Sequence, residues 1–147
     1  MKKKAIQDIR AFNRWYTDVI GLLDQHLLHS SWSLAEARLI YEIHQAERVQ
    51  ASQLIGIMQI DKSYLSRLLK KLEKEKVITK RKSPGDARAF LLFLTEKGER
   101  EFAALNIASD EQIGRLLRPL SEGQREALVG HMQAVMRLLN AKFPGHE

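Results

Sequence analysis

Apolar residues recur at helical spacing along most of this chain, and the period shortens in only one stretch. Ile6, Ile9, Phe12, Tyr16, Val19, Ile20, Leu23 and Leu27 form one stripe with charges between its members. That pattern predicts a single amphipathic helix over residues 5–29. Ser33-Leu-Ala-Glu36 has the form of a capping box, in which hydroxyl and carboxylate each satisfy an orphan backbone donor. The helix it opens carries Ala37, Ile40, Tyr41 and His44 at helical spacing. Residues 51–58 predict a shorter helix holding Leu54, Ile55 and Met58, and a tight turn at Gln59-Ile60 leads to Asp61 as the next N-cap. Two short helices, a tight turn and a further helix make a helix-turn-helix unit.

The helix after Asp61 has two distinct sides. Stepping about 100° per residue puts Ser63, Ser66, Arg67, Lys70 and Lys74 within roughly 100° of one another. Leu65, Leu68, Leu69 and Leu72 fall opposite, so one side is fit for burial and the other carries hydrogen-bond donors. The period then drops to that of a strand. Val77–Lys82 and Ala89–Leu94 are rich in β-branched, aromatic and apolar residues, and Ser83-Pro-Gly-Asp86 supplies turn chemistry between them. A β-hairpin in this position is a wing. Thr95 caps a long helix through Phe102, Leu105, Ala108, Ile113, Leu116 and Leu117 that stops near Pro119. A second capping box, Ser121-Glu-Gly-Gln124, opens a last helix with Leu128, Met132, Val135, Met136 and Leu139, ended by Pro144-Gly145. Met132 and Met136 lie on its stripe and count as core.

The expected fold is mainly α with a small β-hairpin wing. A winged helix-turn-helix at about 33–95 is flanked by helical regions at about 1–30 and 96–143, in one domain over 1–147 without a linker. The flanking helices hold more apolar stripe than one small domain needs. A two-fold dimer, each subunit lending helices to a shared core, is the simplest use for it.

Charge sharpens this picture. From Lys62 to Arg88 there are ten basic residues and three acidic ones, a larger net positive charge than the +6 of all 147 residues. Cations gathered on one helix face and the adjoining hairpin match the phosphates of a DNA duplex. Ser63, Tyr64, Ser66 and Arg67 are the candidates to reach base edges in the major groove, where arginine makes the best bidentate contact with guanine. Lys62, Lys70 and Lys74 are placed for phosphates, which set register without reading sequence. In the wing, Lys82 and Arg88 are the candidates for phosphates or a narrow minor groove, and Arg81 is a further backbone candidate.

Composition narrows the alternatives. With no cysteine the chain has no disulfide, thiol nucleophile or cysteine-based redox sensor. No apolar run approaches a membrane span, and Asp8, Arg10, Arg14 and Asp18 interrupt any signal-peptide core after the initial MKKK. The expectation is a cytoplasmic protein that does not enter a membrane. There is no GxSxG, Walker loop, HExxH or GxGxxG, so an enzyme is not expected, nor is a cofactor. His26 and His29 share a helix face at metal-compatible spacing, but solvated histidines are the plainer account and no metal is expected. Trp15, Tyr16 and Trp32 are candidates to line an effector pocket, with core or dimer packing as their plainer role. A different class of function, a basic helical module docking on an acidic protein or anionic membrane through residues 1–28, would want cations along that helix. Asp8, Asp18 and Asp24 dilute them there.

Several motifs together carry a resemblance. Leu54, Ile60-Asp61-Lys62-Ser63, Leu65-Ser66-Arg67 and Leu72-Glu73 are followed by Pro84, Asp86 and Arg88, then by Leu94-Thr95-Glu96-Lys97-Gly98. In this order and spacing the chain resembles the MarR family of bacterial winged-helix transcriptional regulators over nearly its whole length. Gln59 and Lys76 stand where the family usually has glycine, and Ala87 where many members carry a second wing arginine. The resemblance implies a homodimer that binds operator DNA. It also implies a small ligand, often an aromatic acid or phenol, that changes the spacing of the two readers and lowers their affinity. It further implies that Asp86 holds Arg88 through a charge-assisted hydrogen bond.

Overall fold

The computed structural model describes residues 2–21 and 27–140. Six helices and one hairpin follow in order: α1 Lys3–Val19, a short 3-10 turn at Leu27–His29, α2 Leu34–Ala46, α3 Ala51–Met58 and α4 Lys62–Lys74. Then come β1 Ile78–Ser83, β2 Asp86–Leu94, α5 Glu96–Leu117 and α6 Glu122–Asn140. The architecture is the expected winged helix-turn-helix between terminal helices.

The core lies under the helix-turn-helix. Leu39, Ile40 and Ile43 of α2, Leu54 of α3 and Leu65, Leu68, Leu69 and Leu72 of α4 are buried together with Val77, Ile78 and Leu92 of the wing and its approach. The apolar side deduced for α4 is therefore the side that packs. Asp61 starts that helix by accepting from the Tyr64 N–H at 3.1 Å. Gln59, in the left-handed region at φ 48°, makes the turn that separates α3 from α4. Lys76 at φ 61° makes the corresponding turn from α4 into the wing. Both sit at the two positions flagged for lacking glycine, where a side chain costs energy that glycine would avoid.

The hairpin pairs antiparallel, with Ile78 opposite Leu94 and Lys80 opposite Leu92. Pro84 and Gly85 form its tip, and Gly85 takes φ 97°, a conformation open chiefly to glycine. Val49 adds a short third rung, its carbonyl accepting from the Leu92 N–H at 2.8 Å. A single β-branched residue between Arg48 and Gln50 gave no strand signal. Behind the wing, Thr95 accepts from the Gly98 N–H at 3.0 Å and its own hydroxyl donates to the Lys76 carbonyl at 2.6 Å. Gly98 packs so closely on Val77 that an added Cβ would collide with the Val77 carbonyl oxygen. The Leu-Thr-x-x-Gly segment is thus the joint that fixes α5 to the wing.

Three expectations change. The first helix ends at Val19, not 29: Gly21 at φ 65° donates to the Asp18 carbonyl, a left-handed stop that its apolar stripe did not reveal. Leu23 and His26 lie outside the described residues, as do Pro144 and Gly145. The box at Ser33 is half formed: Ser33 accepts from the Glu36 N–H at 3.2 Å, but the Glu36 carboxylate turns inward to Lys71. By contrast, the box at Ser121 closes in both directions. Finally, Met132 and Met136 are exposed, as are Val135, Leu138 and Leu139 of the same helix. Neither α1 nor α6 contains a buried residue, because each turns its apolar stripe away from this chain's core.

Candidate nucleic-acid interface

Burial of the four leucines forces the rest of α4 outward. Lys62, Ser63, Ser66, Arg67 and Lys70 line one continuous solvent-open hollow, so the structure brings together the residues that helical spacing had grouped. Lys74 is exposed one turn further along. The Tyr64 ring is 40% exposed and lies beside this row, with the Arg67 guanidinium carbon 5.5 Å from its centroid. The two side chains thereby make a cation–π contact.

A cleft of about 550 Å³ separates α3 and α4 from the wing. Its rim carries Lys62, Ser66 and Lys70 from the helix and Lys80 and Arg88 from the strands. Helix face and wing therefore present cations to one shared opening. The α3 residues Gln50 and Ser52 join this rim, although α3 had been read only for its apolar side. Lys80 is a second site residue that sequence reasoning left unnamed. Strand alternation alone could not choose between Lys80 and Arg81; the register does, by setting Lys80 opposite Leu92 and Lys82 opposite Phe90 on one face. Arg81 lies on the other face, with its guanidinium 4.8 Å from the Phe93 ring centroid. It is thereby separated from the cleft. Lys80 is also steered by Glu73 at 3.3 Å, which links wing and reading helix.

Asp86 does secure Arg88, through a different atom than expected. Its carboxylate accepts from the Arg88 backbone N–H at 2.9 Å, which shapes the turn and leaves the guanidinium extended into solvent. Lys71, counted among the cations of the segment, is half-exposed but paired with Glu36 at 2.8 Å, and it does not line the hollow formed by Lys62, Ser63, Ser66, Arg67 and Lys70.

The aromatic trio is not brought together. Trp32 is 3% exposed within the core, with its indole N–H donating to Glu101 at 2.9 Å. Trp15 is 59% exposed on α1, and Tyr16 stacks on Phe12 at 5.4 Å. Trp32 is a core residue because its indole is satisfied internally, and it does not line a pocket with the other two. His44 is engaged as well, 2.9 Å from Glu99 and stacked on Phe102 at 3.8 Å. Among the described residues no three histidine or acidic side chains are grouped to hold a metal ion. Nor is any described helix long and apolar enough to cross a membrane.

A helix-turn-helix with a segregated cationic face, set against a hairpin that adds cations to the same opening, defines a winged helix-turn-helix protein. Residues 32–90 match the family model of the MarR family. The HTH-type transcriptional regulator YvnA of Bacillus subtilis is 30% identical over 102 residues, which is 68% of this chain and 64% of that relative. The chain thus spans just under two thirds of that relative's length. Among solved structures, Streptococcus pneumoniae FabT in complex with DNA has a TM-score of 0.78 at 20% identity, covering 92% of this chain and 98% of that one. Bordetella bronchiseptica BpsR, whose DNA binding is regulated by 6-hydroxynicotinic acid, has a TM-score of 0.68 at 16% identity over 88% of this chain and 98% of that one. At these identities the two structures establish a shared fold.

Proposed function

We propose that this protein is a sequence-specific binder of double-stranded DNA that regulates transcription, acting as a homodimeric repressor in the cytoplasm. The observation that carries the reading is the shared cationic opening formed by the exposed side of α4 and the wing. Ser63, Tyr64, Ser66 and Arg67 face the bases, Lys62, Lys70 and Lys74 meet phosphates, and Lys82 and Arg88 follow the strand outward from the major groove. Lys80 joins them in place of Arg81. The match of residues 32–90 to the MarR family model, the likeness to the transcriptional regulator YvnA, and the DNA held by FabT support the same reading.

The dimer is supported by exposed apolar surface. Ile6, Ile9 and Phe12 of α1 and Val135, Met136, Leu138 and Leu139 of α6 face solvent in the single chain. The chain exposes 11260 Å². A compact monomer of its mass would expose about 7,700 Å². The difference leaves ample surface for an obligate homodimer interface, which buries about 2,000–5,000 Å² counted over both partners. Residues 1–30 and 96–143 would form that dimerisation region around the 33–95 reading lobe. Two reading helices about 34–36 Å apart would meet successive major grooves and select a pseudo-palindrome.

We place an aromatic or phenolic acid as the effector that releases DNA, a class supported by the regulation of BpsR by 6-hydroxynicotinic acid. Selection of bound sequences from a random duplex pool tests the reading. An enriched inverted repeat is the expected outcome; recovery of unrelated sequences, or affinity that does not fall steeply with salt, would overturn it.

A further inference from the structure

Lys71 is on the recognition helix, and its half-exposed side chain pairs with a carboxylate buried in the protein. Its ammonium lies 2.8 and 2.9 Å from the two carboxylate oxygens of Glu36, a residue of α2 whose side chain is 9% exposed. The same ammonium stands 5.8 Å from the centroid of the Trp32 ring. Trp32 is buried, and its indole N–H donates to the Glu101 carboxylate on α5 at 2.9 Å. Four side chains therefore run in unbroken contact from the back of α4, through the core, to α5.

Such a chain fixes geometry more than it adds stability. The pair is half-buried, and the cost of removing the Glu36 carboxylate from water offsets much of its attraction to the ammonium. What it specifies is direction: both Glu36 oxygens are engaged by one ammonium, and the indole N–H has a single acceptor line. The far end is also informative. α5 carries Glu101 and, one to four turns on, the exposed apolar residues Ile107, Ile113 and Leu116. A partner seated on those residues would bear on the same helix that carries Glu101.

We propose that Lys71 and Trp32 are positioning residues that tie the orientation of the α4 reading face to the position of α5. Movement of α5 then reaches the DNA surface as a change in discrimination between sequences, while the general attraction to phosphates stays with Lys62, Lys70 and Lys74. This inference rests on the duplex-binding reading above. Physical coupling of this kind is demonstrated by energetic non-additivity between residues that do not touch.

The test uses the full chain with Trp15→Phe, which leaves Trp32 as the remaining tryptophan of the two in the sequence. Affinities for the selected duplex and for a scrambled duplex of equal length are measured for this protein, Glu101→Ala, Lys71→Met and the double variant. Each single change should lower affinity for the selected duplex by about fivefold or more. Neither should change discrimination by acting on the scrambled duplex alone, and the double variant should be no worse than the stronger single. The selected duplex should also alter Trp32 emission, which a purely structural role would leave unmoved. Trp32→Phe keeps an aromatic ring but loses the N–H donor and leaves a gap in the core, so it should lower affinity for the selected duplex at least as much as Glu101→Ala. Equal losses on both duplexes, additive effects in the double variant, or unchanged Trp32 emission would overturn the coupling. Failure of the parent protein to prefer the selected duplex would instead refute the duplex-binding reading.

Discussion

Arg67 and Lys70 stand one turn apart on α4, both exposed, and their chemistry assigns them different work. The Arg67 guanidinium is a planar fork in cation–π contact with Tyr64, suited to two acceptors on one base edge. The Lys70 ammonium is a point charge on the rim of the cleft. Arg67→Ala should cost about 1–3 kcal/mol on the selected site and relax preference at one position. Lys70→Ala should weaken all duplexes alike and reduce the salt slope by about one. Competition titrations against single-position variants of the site separate the two, and equal loss for Arg67→Ala on selected and random DNA would show that another residue reads the base. A different residue-scale test concerns Lys76, whose φ of 61° burdens a side chain where glycine would relax. Lys76→Gly should raise unfolding free energy by about 0.5–1 kcal/mol in denaturant titration, the relief of strain exceeding the added freedom of the unfolded chain.

At the scale of elements, the wing is set by its joints. Thr95 binds the start of α5 to the carbonyls of Lys76 and Val77, while Gly98 donates to the Thr95 hydroxyl and packs against the Val77 carbonyl. Gly98→Ala should therefore destabilise the protein by about 1–3 kcal/mol, since the new methyl must displace backbone and not a flexible side chain. Thermal unfolding of the variant measures this; an unchanged midpoint would show that the joint yields. The same change should weaken duplex binding beyond its effect on stability, because Lys80, Lys82 and Arg88 take their positions from the strand pairing that this joint anchors. α4 is constrained from two sides, by Lys80 on Glu73 and by Glu36 on Lys71. The reading surface is therefore a property of three packed elements and not of one helix.

At the scale of the molecule, the apolar stripes of α1 and α6 decide the assembly. Leu138 is 74% exposed in the single chain and Leu139 beside it 55%. A large exposed apolar surface of this kind marks an interaction site, and the proposed two-fold partner would cover it and set the spacing of the two α4 helices. Leu138→Asp with Leu139→Asp should shift the protein from dimer to monomer in sedimentation. Affinity for an inverted repeat should then fall to about that for a single half-site, while the helix content of the reading lobe persists. A variant that remains dimeric would place the interface elsewhere.

Much of this was written into the local order of residues. The segregation of Leu65, Leu68, Leu69 and Leu72 from Ser63, Ser66, Arg67 and Lys70, the caps at Asp61, Thr95 and Ser121, and the Pro84-Gly85 tip all follow from spacing and short-range hydrogen bonding, so reading along the chain recovers them. Contacts between elements do not follow from spacing. Which strand face Lys80 and Arg81 occupy depends on cross-strand register; where Glu36 and Lys71 meet depends on how α2 packs on α4; whether Trp32 is pocket or core depends on α5 reaching its indole. Helical periodicity shows that a stripe is apolar but not what covers it. The Met132 and Met136 stripe belonged to the surface of the chain, and only three-dimensional packing, which brings together residues distant in sequence, made that visible.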